Sequence, residues 1–167
     1  MLGIGGGAAV GALALGTGTA GVEVASTVLR VGPARQITTL SSAAKVAKDG
    51  DTIEVDAGNY VGDVAVWTQN GLSLRAVNGR VRLTADGQVA EGKAIWVVRA
   101  RDVRVQGFDF LGAQASDRNG AGIRLESGSL EVVDCAFLGN ENGILTSNHS
   151  DVSLIVANSE FGFNGAG

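Results

Sequence analysis

The chain is poor in residues that staple, break or ligate. It has one cysteine, one proline and one histidine. A single cysteine excludes an internal disulfide framework, and one His beside one Cys cannot build a zinc cluster. Cys135 sits among apolar residues in a strand pattern and reads as a small buried hydrophobe. Aromatics make up 5% of the chain and charged residues 18%. Thirteen Lys and Arg against 17 Asp and Glu leave a net charge of −4. That lacks the basic footprint of a nucleic-acid binder, so no nucleic-acid partner is expected. An acidic chain also repels a polyanion unless positive charge is gathered locally.

Glycine and apolar residues are plentiful, at 26 residues and 45% of the 167-residue chain. Glycine at this density without proline is neither collagen nor a Pro-rich linker; it suits many tight turns between short strands. The length allows one domain with a real core, and the composition argues against general disorder. Residues 1–27 stand apart. After Met1, the stretch to Ala20 holds only Gly, Ala, Leu, Ile, Val and Thr. It reads as the apolar part of a secretory signal ending near Gly18-Thr19-Ala20, or as a flexible start. No Lys or Arg precedes it, and its glycines argue against a stable membrane span. The expected location is secreted, periplasmic or cell-surface.

A regular pattern begins near Thr38. Residues 38–48 read as a short helix, capped by Thr39 or Ser41, with Leu40, Ala44 and Ala47 on one face and Lys45 and Lys48 toward its C-terminal end. Asp49-Gly50-Asp51 stops it. Beyond lie short strands broken by Gly, Asn, Asp and Ser.

The strands repeat. Segments Val103–Phe110, Leu130–Phe137 and Leu154–Phe161 share one template, with apolar residues at positions one and three, a turn residue at five and Phe at eight. Their starts at 103, 130 and 154 are separated by 27 and 24 residues. A second template precedes each: Ala94-Ile-Trp-Val97, Gly122-Ile-Arg-Leu125 and Gly143-Ile-Leu-Thr146, separated by 28 and 21 residues. Three short strands in such a period match one coil of a solenoid, and strands this short need stacked neighbours. The period predicts parallel strands, three per coil from about residue 94. Val105, Val132 and Val156 should form one inward column and Phe110, Phe137 and Phe161 another. Gly107, Asp134 and Asn158 should occupy the bend, where left-handed backbone is tolerated. Leucine-rich repeats have a similar period, but their Leu-x-x-Leu-x-Leu spacing is absent.

The run Asp49-Gly-Asp-Thr-Ile-Glu-Val-Asp-Ala-Gly-Asn-Tyr60, followed by Val64-Ala-Val66 and Leu72-Ser-Leu74, resembles the opening of pectin-lyase-like β-helix proteins. With the coil repeats, the resemblance covers about residues 35–167. It implies an all-β, right-handed, single-stranded parallel β-helix over residues 28–167, with a short N-terminal capping helix. It leaves activity open, because such folds serve lyases, hydrolases, esterases, epimerases, adhesins and tail-spike-like proteins. Glu141-Asn142-Gly143-Ile144 stands where pectinesterases carry a Gln-Asp-Thr-Leu segment. Asn142 cannot act as a carboxylate acid or base, which argues against esterase chemistry. Neither the aspartate cluster of polygalacturonases nor the carboxylates and downstream Arg of pectate lyases is visible. Glu160–Gly167 ends at a turn where another coil is expected, so a longer parent protein is anticipated.

If strands 94–98, 122–126 and 143–147 stack in one sheet, Ile95, Ile123 and Ile144 should point inward and Trp96, Arg124 and Leu145 outward. The resemblance implies that this sheet binds sugar chains. Trp96 could then stack on a sugar ring. Arg124 could pair with a uronate carboxylate or act as a base in lyase chemistry, and Asn142 would flank them. The plainer alternative is a surface Trp and Arg packed against neighbouring coils. Asp117, Arg118, Asn119, Glu141, Asn148, His149 and Asp151 look like solvated loop residues. No metal site or cofactor is identified; Ca²⁺ needs six to eight oxygens, and no Asp-rich loop supplies them. The expected function is a carbohydrate-active β-helix protein, a polysaccharide lyase or glycoside hydrolase acting on or binding acidic polysaccharide. The alternatives are a non-catalytic surface or binding solenoid, or a nonfunctional remnant.

Overall fold

A computed structural model describes residues 26–165; the expected signal segment lies almost wholly outside these residues. The chain opens with β1 (Val28–Val31) and the helix α1 (Leu40–Val46). Strands β2 (Thr52–Val61), β3 (Ala65–Trp67), β4 (Ser73–Thr84), β5 (Ala94–Gln106) and β6 (Phe108–Leu111) follow. They continue with β7 (Ala121–Val133), β8 (Ala136–Leu138), β9 (Asn142–Thr146), β10 (Ser153–Ala157) and β11 (Glu160–Gly162). Every strand-to-strand pairing is parallel. The result is a parallel β-solenoid of about six turns with one short helix, as the repeat predicts.

The long strands bend and serve two faces each, so three sheets form. In the first, Leu29, Ile53, Leu74, Val105, Val132 and Val156 stack in register. In the second, Tyr60, Leu83, Phe110, Phe137 and Phe161 do the same. The Phe137 ring lies parallel to its neighbours, with centroids 5.0 Å from Phe110 and 4.9 Å from Phe161. Phe161, on the last described coil, remains 50% exposed. Between these sheets the chain turns at Gly107, Asp134 and Asn158, all with positive φ (83°, 50° and 49°).

The third sheet stacks β3, the start of β5, the start of β7, and β9. Its register differs from expectation by one residue in β5. Trp96, not Ile95, lies level with Ile123 and Ile144, and Val97 lies level with Arg124. A shift of one residue exchanges the faces of a strand. Trp96 is therefore 0% exposed, edge-on to Trp67, Phe108 and Phe110.

Ile95 also points inward, level with Gly122. Only glycine fits there, because a Cβ on Gly122 would meet the Phe137 ring at 2.7 Å.

Helix α1 contacts β3 and β1 at the N-terminal end of the solenoid. Thr39 caps it, its hydroxyl accepting from the Ser42 amide at 3.2 Å. The Asp63 carboxylate accepts from the Leu40 and Ser41 amides at 2.6 and 2.9 Å. Two otherwise orphaned helix amides are thereby satisfied.

Candidate functional site

The outward column of the third sheet runs Val66, Val97, Arg124, Leu145. Its lower part is sealed. The loop before β5 folds back so that the Ala90 amide donates to the Ala94 carbonyl at 2.7 Å. Ala90, Ala94, Val97 and Ala121 form a small second core there, with Val64, Val66 and Leu145 at its margin. Beside this core the surface opens into a cleft of about 540 Å³. Arg99, Arg124, Glu126, Ser147, His149 and Asp151 line it.

Two charged groups on one wall, Glu126 and Arg99, belong to a four-membered network with Lys93 and Glu91 behind them. Glu126 accepts from Lys93 Nζ and from Arg99 Nε, each at 2.6 Å. The other edge of the Arg99 guanidinium is taken by both oxygens of Glu91. Burial alone would raise the Glu126 pKa, but the Lys93 ammonium and Arg99 guanidinium overcome it and hold the carboxyl below its ordinary range. Glu91 is likewise lowered, chiefly by its hydrogen bonds to Arg99. Ser147 is also occupied, its hydroxyl donating to the Glu126 carbonyl at 2.7 Å.

Arg124 differs. Among the described residues it makes no ion pair, and its buried Nε has no hydrogen-bond partner. An unsatisfied buried N–H on a permanent cation is costly unless an acceptor arrives. Arg124 is thus the cation with bonding capacity left in this cleft.

The other expected site residues fall elsewhere. Trp96 lies in the core, so the expected outward stacking platform is corrected: a side chain with no exposed surface cannot meet a sugar. Asn142 begins β9 level with Ala121, three residues before Leu145. At roughly 3.3 Å per residue it stands about 10 Å along the strand from the Arg124 level, and it does not line the cleft. Glu141 is structural, its carboxylate accepting from the Ala115 and Gly120 amides at 3.0 and 2.6 Å. Asp117 and Asn119 hydrogen-bond each other within one turn. His149 and Asp151, read from sequence as solvated loop residues, are exposed but share the cleft with Arg124. Among the described residues no three His, Cys, Asp or Glu side chains cluster to hold a metal.

No family model and no curated protein matches this chain. Among solved structures it is similar to a pectin methylesterase in complex with a hexasaccharide. The TM-score is 0.54 at 14% identity, covering 82% of this chain and 49% of the other. The fold is the pectin-lyase-like right-handed parallel β-helix. The chain spans about half the length of that structure. Within the shared β-helix, the cleft lies on the outer surface of the third sheet, beside the closing loop of one coil and the β9–β10 connection.

Proposed function

We propose that this is a carbohydrate-active β-helix protein that engages acidic polysaccharide, with Arg124 as the group that seats a uronate carboxylate. The observation that carries the reading is the unpartnered Arg124 guanidinium on an outward strand column, in a cleft whose other arginine, Arg99, is neutralised by two carboxylates. A planar guanidinium matches a carboxylate with two parallel hydrogen bonds. It supplies one directed cation in a cleft whose lining charges, Arg99 and Arg124 against Glu126 and Asp151, otherwise cancel, on a protein of net charge −4. The structural neighbour's hexasaccharide complex supports a sugar polymer as ligand class. Such polymers lie outside the cytoplasm, consistent with a secreted, periplasmic or cell-surface protein.

As a lyase, the protein would pass the C5 proton of the uronate to a base, form the C4–C5 double bond as the C4–O4 bond breaks, and release O4 as a hydroxyl protonated by an acid or water. Neutralising the carboxylate on Arg124 favours loss of that proton. A second reading, a binding solenoid without catalysis, is favoured by the state of the carboxylate two residues from Arg124: both oxygens of Glu126 are engaged, one by Lys93 and one by Arg99. The test is binding and turnover of polygalacturonate, alginate and a neutral glucan by the wild type and Arg124→Met. Binding of the acidic polymers alone, lost in the variant, is expected. Ultraviolet absorbance of unsaturated products or new reducing ends would mark a lyase or a hydrolase; binding without either marks the solenoid reading. Equal binding by Arg124→Met rejects the site.

A further inference from the structure

Glu126 lies two residues from Arg124 on the same strand, with fully buried Leu125 between them. Glu126 is the extra residue where the β5–β7 register shifts, and both side chains line the cleft on the outer face, with origins no more than roughly 7 Å apart. Long charged side chains at that separation can meet, and an unengaged Glu126 would be the natural partner of Arg124. It is not, because Lys93 Nζ and Arg99 Nε take one oxygen each at 2.6 Å. Arg99 is pinned from its other edge by Glu91, which lies on the loop closing over the second core.

We infer that Lys93 and Arg99 are positioning residues that hold Glu126 off Arg124 and so keep the Arg124 guanidinium open for an anion. The inference rests on the proposed reading of Arg124 as the anion-contacting group. It adds that two cations raise the cleft's affinity for an anion without touching it. Arg99, the cation that looks most like a ligand contact, has each of its three guanidinium nitrogens hydrogen-bonded to Glu126 or Glu91. Lys93 is outside the cleft lining. Their effect therefore passes through Glu126.

A double-mutant cycle with polygalacturonate as probe separates indirect from direct action. Lys93→Met/Arg99→Met should weaken binding by about fivefold, the scale of one partly exposed ion pair forming at Arg124. Glu126→Gln alone should bind at least as tightly as the wild type. The triple variant should return to wild-type affinity or better, since the Glu126 carboxylate no longer competes for Arg124. A triple variant as weak as Lys93→Met/Arg99→Met would show that the two cations contact the ligand directly and would overturn the inference.

A ligand-free measurement keeps the two proposals apart. In ¹H–¹⁵N spectra of the arginine Nε–H groups, the Arg124 signal, assigned through Arg124→Met, should move in Lys93→Met/Arg99→Met and move back in the triple variant. An Arg124 signal unchanged across the cycle overturns the inference even where polymer binds. Loss of polymer binding in every protein, with the signal moving as stated, removes the ligand reading and leaves the positioning intact. Arg99→Gln, a milder change, should give a smaller shift of the same signal where the pair of Met substitutions impairs folding.

Discussion

At the scale of single residues, the columns decide what each side chain contributes. Phe137 is fully buried, with a parallel ring on each side and glycine at 122 to admit it. Phe137→Ala removes a whole ring from a stack that cannot close the gap, and should cost about 3–5 kcal/mol in denaturant unfolding. A loss below about 1 kcal/mol would mean that the Phe column does not bear on stability. The Phe positions were legible because the same residue recurs at the same place in each coil. A second column was equally periodic and went unread. Asn140 and Asn164 each follow a stacked Phe by three residues. Asn140 accepts from the Ala113 amide at 2.9 Å and donates to the Phe110 carbonyl at 3.0 Å. Asn164 repeats this one coil on, accepting from the Asn140 amide and donating to the Phe137 carbonyl. Asn140→Ala strands a buried amide and a buried carbonyl. Thermal or urea unfolding should register a loss of about 2–4 kcal/mol, and a near-neutral result would show that water replaces the amide.

Elements show why the register of β5 was hidden while the coil period was not. Register is read from polar–apolar alternation, and Ala94–Val98 has none because both of its faces are buried. A strand covered on two sides reads as a continuous apolar run. The covering loop, with Ala90 over Ala94 and Val97, becomes visible only once the coils are stacked. The Lys93–Glu126 and Arg99–Glu126 pairs were unreadable for the same reason, since they join residues in different coils. Other outward pairs also tie coil to coil. Glu54 lies between Arg75 and Arg30, and Arg35 grips Asp56 with two hydrogen bonds of 2.6 and 3.0 Å. The hydrogen bond from Arg75 lowers the Glu54 pKa, and that from Arg35 lowers the Asp56 pKa. A carboxylate held lower in the folded state binds fewer protons than in the unfolded chain. Its stabilisation is complete above the ordinary values of 4.5 for Glu and 3.8 for Asp, and is lost as pH falls through the depressed ones. Urea midpoints should therefore stay level from neutral pH down to about 5 and then fall. Glu54→Gln should flatten that fall, and an unchanged acid limb would show that these pairs do not report on folding.

At the scale of the whole molecule, the two ends of the solenoid differ in how their strand edges are covered. The N-terminal end has α1 against β3 and β1, its first amides closed by Asp63. At the other end, β9, β10 and β11 each pair with one earlier strand, and no described strand lies beyond them. The columns surface there: Val156 is 40% exposed, and Phe161 offers a ring face with no described partner above it. Phe163 is 96% exposed beside them. Unpaired parallel edges bearing an apolar column recruit other strands, and Leu154-Ile-Val156 is a short β-prone run of the kind that pairs between chains. The 167-residue chain should therefore self-associate through this face. Size-exclusion chromatography with light scattering should show a mass that rises with concentration. An inward-pointing charge on an edge strand opposes such pairing, so Val156→Lys should shift the population toward monomer. That residue lies on the last described coil and is already partly exposed, so the fold beneath it should persist, with the far-ultraviolet spectrum retained. A wild-type chain that stays monomeric at every concentration tested would show that the exposed Phe161 and Val156 do not recruit a partner, and would place the closure of the solenoid in contacts other than strand pairing.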